Sequence, residues 1–189
     1  YPRGGGKATL TLHPCECEPI VLRDRGDLES VTVESMATED LDDAEVAKRQ
    51  ATAARDRLEE LVSAPVAANW ASTAADSTGS VVIVIAEYEQ SRAGLSAHGE
   101  RGKPAEKVAE SAVVDFEAFH RSKGAVDIHL ADQLLPFLAA CGGELTTTEK
   151  TPHVETAADL LRAFGYEVDA IETDGRVTIE APRDTTVGP

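Results

Sequence analysis

Four short stretches of this chain hold side chains whose types and spacing suit chemistry. Gly4-Gly5-Gly6-Lys7 sets glycines ahead of a lysine, the ingredients of a phosphate-binding loop. His13, Cys15 and Cys17 alternate, so on a strand they share a face and offer an imidazole and two thiols to a zinc ion. His129, Asp132 and Gln133 lie at i, i+3 and i+4 of the run DIHLADQLLPFLAAC, one face of a helix. His153 follows Thr151-Pro152, the residue types of a helix start.

The four differ in what else they need. A P-loop requires a glycine five positions before the Gly-Lys pair and a hydroxyl residue after it. Tyr1 and Ala8 occupy those positions, so the glycines read as a tight turn into a strand. The zinc reading lacks a fourth ligand, and Pro14 interrupts the strand, which leaves His13, Cys15 and Cys17 as turn residues at a strand end. The helix Asp127–Cys141 is apolar enough to be largely buried, and an unpartnered buried polar group costs about 1–3 kcal/mol. Its polar trio must therefore meet another polar element in a structural network, water or a ligand. Pro136 should bend the helix just beyond them. His153, with Thr151 as N-cap and Pro152 at the first helical position, sits among unpaired backbone N–H groups. Such a helix start attracts phosphate and favours neutral imidazole, a nucleophile beside a bound phosphate. The plain alternative is a solvent-facing histidine in a helix cap.

The elements that must position these groups follow from patterning. Strands are predicted over Ala8–His13, Glu18–Asp24 and Ser30–Ala37. Asp42 and Glu45 have the spacing of a capping box for a helix to Val62, and a small-residue loop with Trp70 follows from Ser63 to Ser80. Next come a strand Ser80–Glu89, a short strand and glycine turn in Gly94–Lys103, and a helix opened by Pro104 and ended by Gly124. The remainder reads as a helix Asp127–Cys141, a strand Glu144–Thr148, a helix Pro152–Phe164 and strands Tyr166–Glu172 and Arg176–Ala181. Thr173-Asp174-Gly175 turns the last two into a hairpin. Interleaved strands and helices define an α/β or α+β fold.

Composition bounds the function. The chain has 189 residues, 42% hydrophobic but only 4% aromatic, so its core must rest on Ala, Val, Leu and Ile. The net charge is −16 and arginine outnumbers lysine two to one, a dispersed acidic surface suited to a high-salt cytoplasm where like charges are screened. It opposes non-specific nucleic-acid binding without excluding a local cationic site. No apolar run reaches membrane-helix length and nothing resembles a signal peptide, so no membrane partner is expected. Three cysteines, Cys15, Cys17 and Cys141, form no framework spacing and are expected as reduced thiols of a cytoplasmic protein.

Taken together, the motifs resemble the RNA 3′-terminal phosphate cyclases. Pro2-Arg3-Gly4-Gly5-Gly6 before a strand matches that family's Pro-x-Gly-Gly-Gly stretch, and Arg25-Gly26 its recurring Arg-Gly. Gly99-Glu100-Arg101-Gly102-Lys103-Pro104-Ala105-Glu106 and His129-Leu130-Ala131-Asp132-Gln133-Leu134 are further close matches. The resemblance runs from residue 1 to about 181. It implies a C-terminal portion, because the family's glycine stretch lies near mid-chain. It further implies a last βαβαββ-type repeat of the cyclase domain, interrupted by a smaller inserted α/β domain. Residues 1–28 would begin the repeat, 29–123 form the insert, and 124–189 complete the repeat.

The implied activity is ATP-dependent conversion of an RNA 3′-phosphate to a 2′,3′-cyclic phosphate through a covalent histidyl-AMP. His153 matches the nucleophile, His129, Leu130, Ala131, Asp132 and Gln133 match the ATP-contacting segment, and Asp132 would help hold a divalent metal, Mg or Mn. The partners would be ATP, RNA 3′-phosphate ends and the missing N-terminal repeats, without which the fragment should lack a complete site. Where the family has Thr-Asn after its histidine, this chain has Val154-Glu155. The competing reading is a non-catalytic cyclase-like protein that binds RNA or a ribosome-assembly partner. Such relatives typically lack the histidine.

Overall fold

A computed structural model describes residues 7–13 and 16–183. The chain runs β1 (Ile20–Leu22), β2 (Leu28–Thr38), α1 (Val46–Leu61), β3 (Val66–Thr73), β4 (Ser80–Tyr88) and β5 (Arg92–His98). It continues with α2 (Ala105–Arg121), α3 (Ile128–Cys141), β6 (Gly143–Thr147), α4 (Pro152–Ala163), β7 (Asp169–Thr173) and β8 (Arg176–Ala181). The fold is mixed α/β, with two four-stranded sheets. One compact unit takes Leu28–Glu87 and Gly94–Ala118; the other takes Tyr88–Ala93 with the described parts of 16–27 and 119–183.

The first unit is built on the sheet order β3-β2-β4-β5. Alternation in β2 and β4 buries Val31, Val33, Val82 and Val84 on one face. β3 runs parallel to β2, with Val31 opposite Val66 and Thr38 opposite Thr73. Parallel neighbours need a crossover, and α1 supplies it, packing Ala51, Ala54 and Leu58 on these strands. Val46 and Leu61, at the two ends of α1, are only half-buried. Gln50 is fully buried in α1, where its Oε1 accepts from Ser35 Oγ at 3.0 Å and its Nε2 donates to Ser80 Oγ at 2.9 Å. Both ends of the amide are satisfied, so its burial carries no orphan penalty.

In the second unit the sheet order is β1-β6-β8-β7. β1 pairs parallel with β6, and β6, β8 and β7 pair antiparallel. Asp174 and Gly175 both take positive φ, 54° and 72°, the two-residue turn whose twist suits the β7–β8 hairpin. α3 and α4 pack on each other, and Leu135, Leu138, Leu145, Val154, Val177 and Ile179 form the core beneath them.

Four sequence expectations need correction. Residues 8–13 form no strand: alternation is not enough without a ladder partner, and Leu10 and Leu12 stand 82% and 80% exposed. The presumed loop after α1 contains β3, whose small residues hid a strand that needs only backbone pairing to β2. The Asp42–Glu45 capping box does not form, because Glu39–Ala44 is a 3-10 turn and Glu45 itself takes a φ of 50° before α1. Finally, Cys17 and Cys141 are not separate thiols but a disulfide, with Cα atoms 5.2 Å apart across 124 residues of sequence. Linear spacing could not foresee that encounter. Cys15 and the glycine stretch lie outside the described residues. Among the described residues no helix is long and apolar enough to cross a membrane.

Candidate active site

The second unit gathers the starts of α3 and α4 at one end of β6. The Ala125 and Val126 amides, entering α3, donate to the Thr146 carbonyl at 2.9 and 3.0 Å. α4 begins five residues after β6 ends at Thr147. Thr146 Oγ1 reinforces the junction, accepting from the Ala125 amide at 3.0 Å and donating to the Arg23 carbonyl at 3.0 Å. The neighbouring Thr147 hydroxyl is buried and, among the described residues, has no hydrogen-bond partner.

Each helix start is capped as its sequence demands. Asp127 Oδ1 accepts from the His129 and Leu130 amides, both at 2.9 Å. Thr151 Oγ1 accepts from the Val154 amide at 3.2 Å, with Pro152 in the first turn. Val154 is buried in the core, which fixes the rotation of α4 and leaves its neighbour His153 exposed. Val154, at the departure from the family's Thr-Asn, is thus an anchor of the helix that carries the histidine.

The polar face of α3 is not buried as its apolar neighbours suggested. His129 and Gln133 are exposed and Asp132 is half-buried, while Ala131, Leu135, Leu138 and Ala139 face the core. The apolar stripe is wide enough to seat the helix without enclosing the trio, so no internal network is required. Leu130 is half-buried and packs on the core, so within His129–Gln133 the outward groups are His129, Asp132 and Gln133. Pro136 lies inside the helix and has no N–H for the carbonyl of Asp132.

A resident metal has no cage here: among the described residues no three His, Cys, Asp or Glu side chains are grouped to hold an ion. Asp132 offers one carboxylate, a donor suited to Mg or Mn only when phosphates and water complete the shell. Cys17 is committed to the disulfide, in keeping with the zinc reading of His13, Cys15 and Cys17 having been set aside for want of a fourth ligand.

Sequence reasoning missed what Arg25 does. Its Nη1 donates to the carbonyls of Phe119 and Gly124 at 3.0 and 2.9 Å, and its Nη2 to those of His120 and Ser122 at 2.6 and 2.7 Å. These carbonyls lie at and beyond the end of α2, where intrahelical donors run out. The guanidinium also stands 5.1 Å from the ring centroid of Tyr88. Tyr88 donates to His120 Nδ1 across 2.9 Å if that nitrogen is unprotonated. Burial pushes the Tyr88 phenol up to about 12, so it remains a donor, and burial followed by the Arg25 charge holds His120 below its ordinary value. The Arg25-Gly26 pair was the only signal in the sequence.

The chain is mixed α/β, and the segments Leu28–Glu87 and Gly94–Ala118 of its first unit lie in sequence between segments of the second. Residues 23–121 match the family described as RNA 3′-terminal phosphate cyclase (RTC), insert domain, and the chain belongs to that family. It is 51% identical over 183 residues to a protein named RNA 3′-terminal phosphate cyclase from Halobacterium salinarum, covering 96% of this chain and 51% of the relative. Proteins of the same name from Thermococcus gammatolerans and Archaeoglobus fulgidus are 38% and 35% identical, over 87% of this chain and 47% and 48% of their own lengths. The chain thus spans about half the length of these relatives.

Proposed function

We propose that this chain carries the nucleophile-bearing half of an ATP-dependent RNA 3′-phosphate cyclase, a ligase-type enzyme of a saline cytoplasm, with residues 29–123 as its inserted domain. A ring nitrogen of His153 attacks the α-phosphorus of ATP; the bond to the β-phosphate oxygen breaks and pyrophosphate leaves. An oxygen of the RNA 3′-phosphate then attacks the same phosphorus, taking AMP and releasing the imidazole. The 2′-hydroxyl attacks the activated 3′-phosphorus, loses its proton and expels AMP, which closes the 2′,3′-cyclic phosphate.

One observation carries the reading: an exposed histidine in the capped first turn of α4, at the same end of β6 where α3 starts with His129, Asp132 and Gln133. The first-turn amides of α4 suit an anion, and the outward groups of α3 suit the nucleotide. Asp132 would bind a divalent ion carried by the phosphates. The test joins the N-terminal half of the Halobacterium relative to this chain and incubates the chimera with α-labelled ATP and Mg or Mn in high salt. An acid-labile label that disappears in His153→Ala is the expected result. Undiminished label in that variant overturns the assignment, and the unjoined chain should label weakly or not at all.

A further inference from the structure

The unit of Leu28–Glu87 and Gly94–Ala118 holds a cavity of about 590 Å³ that the chemistry above leaves unused. It lies where α2 begins, beside the loop Gly99–Pro104 and the first turn of α1. Arg49, Arg101 and Lys103 line it, and Glu100 is the carboxylate among its lining residues. With Arg49 paired to Glu106, Arg101 and Lys103 against Glu100 still leave a net positive lining in a chain of −16.

The three cations are not equally engaged. Arg49 is held by Glu106, through Nε and Nη2 at 2.8 Å each. Lys103 Nζ donates to the neutral Ser111 hydroxyl at 3.0 Å and keeps its charge uncompensated by that contact. Arg101 is exposed and, among the described residues, makes no hydrogen bond or ion pair. Between them Gly102 takes a φ of 84°, and the space where a Cβ would stand is open. Leu41, Val46, Pro104 and Val108 supply an apolar wall.

A cavity of this volume falls in the range of small-ligand sites, about 300–1,000 Å³. A lining that combines cations with apolar side chains matches a nucleotide, whose phosphate is anionic and whose base presents an apolar face. A polyanion meets repulsion over most of so acidic a surface, so a strand would need such a local site to be held.

We propose that this cavity binds a nucleotide of an RNA strand, with its phosphate on Arg101 and Lys103 and its base or ribose against Leu41, Val46, Pro104 and Val108. The choice of RNA over a free nucleotide rests on the function proposed above; the phosphate chemistry does not.

The test titrates the 189-residue chain into a fluorescein-labelled single-stranded oligoribonucleotide ending in a 3′-phosphate, read by anisotropy, at about 0.2 M and about 1 M KCl. Arg101→Ala with Lys103→Ala is expected to weaken binding about tenfold or more. Arg101→Ala alone, which removes no contact of the fold, should already weaken it about threefold. Arg55→Ala with Arg57→Ala, an equal charge change on α1, should leave binding within about twofold. The same strand ending in a 3′-hydroxyl should bind within about twofold of the 3′-phosphate strand, so a failure of adenylylation with this binding intact overturns only the proposed function. Absence of binding, equal loss in the Arg55/Arg57 control, or undiminished binding in Arg101→Ala with Lys103→Ala overturns the cavity site. AMP or ATP binding at the cavity as tightly as the oligonucleotide overturns RNA as the occupant.

Discussion

The guanidinium of Arg25 lies 4.8 Å from the ring centroid of Phe119 and donates to the carbonyl of that same residue at 3.0 Å. One side chain thus touches both faces of a single residue's chemistry, its π cloud and its backbone. Lysine is a point charge on a flexible stem and cannot serve four carbonyls while stacking on two rings. Arg25→Lys should therefore cost about 2–3 kcal/mol, close to the loss in Arg25→Ala. Urea denaturation of both variants checks this, and a lysine variant within about 0.5 kcal/mol of the parent would show the fork to be dispensable.

His120 sets a pH dependence. Burial first, then Arg25 and Arg121, lowers its folded pKa below the unfolded value near 6.5. The unfolded chain then binds the proton more readily, so this group's effect on stability is absent above that pH. It becomes a loss as pH falls from about 6.5 toward the lowered folded pKa. The urea midpoint followed between about pH 5 and 8 should lose this component in His120→Asn. An identical profile in the variant would assign the dependence to other groups.

Asp132→Ala and Gln133→Ala should leave stability within about 0.5 kcal/mol of the parent, because neither side chain is enclosed in the core. In the chimera described above the same changes should reduce histidyl-AMP formation. Melting well below the parent with normal adduct yield would reveal a structural network on α3 instead.

Thr146 and Thr147 are adjacent, both fully buried, and opposite in consequence. Thr146→Val breaks two hydrogen bonds and leaves the Arg23 carbonyl short of a donor, at a cost of about 1–3 kcal/mol. Thr147→Val removes a hydroxyl that has no partner and should be neutral or stabilising by about 1 kcal/mol. Thermal melts of the two variants should diverge; equal destabilisation would disprove the contrast.

What could be read from the sequence was local. Thr151-Pro152 marks a helix start by its own chemistry, and Asp174-Gly175 marks a hairpin for the same reason, so both are legible residue by residue. β3 was hidden because Val66–Thr73 forms through backbone pairing to β2, with mostly exposed side chains that leave little alternation to read. Arg25 was visible only as half of an Arg-Gly pair, since its carbonyl partners lie 94 to 99 residues away. The solvent-facing side of α3 was misjudged for a related reason: an apolar sequence says that a helix is seated, not how deeply its polar stripe sinks. At the site, His153 and the α3 trio were legible as candidates, while the Thr146 contacts that bring the start of α3 to the end of β6 depend on tertiary folding.

The Cys17–Cys141 bond closes a covalent ring through the backbone, and every residue of the unit between Leu28 and Ala118 lies on its circumference. A single cut anywhere on that ring opens it without producing two molecules. A protease nicking the loop after α1 or the turn before α2 would leave a species of unchanged mass apart from one water, and denaturing electrophoresis would resolve two pieces only after a thiol is added. In this chain peptide-bond integrity and molecular integrity are separate properties until the disulfide is reduced.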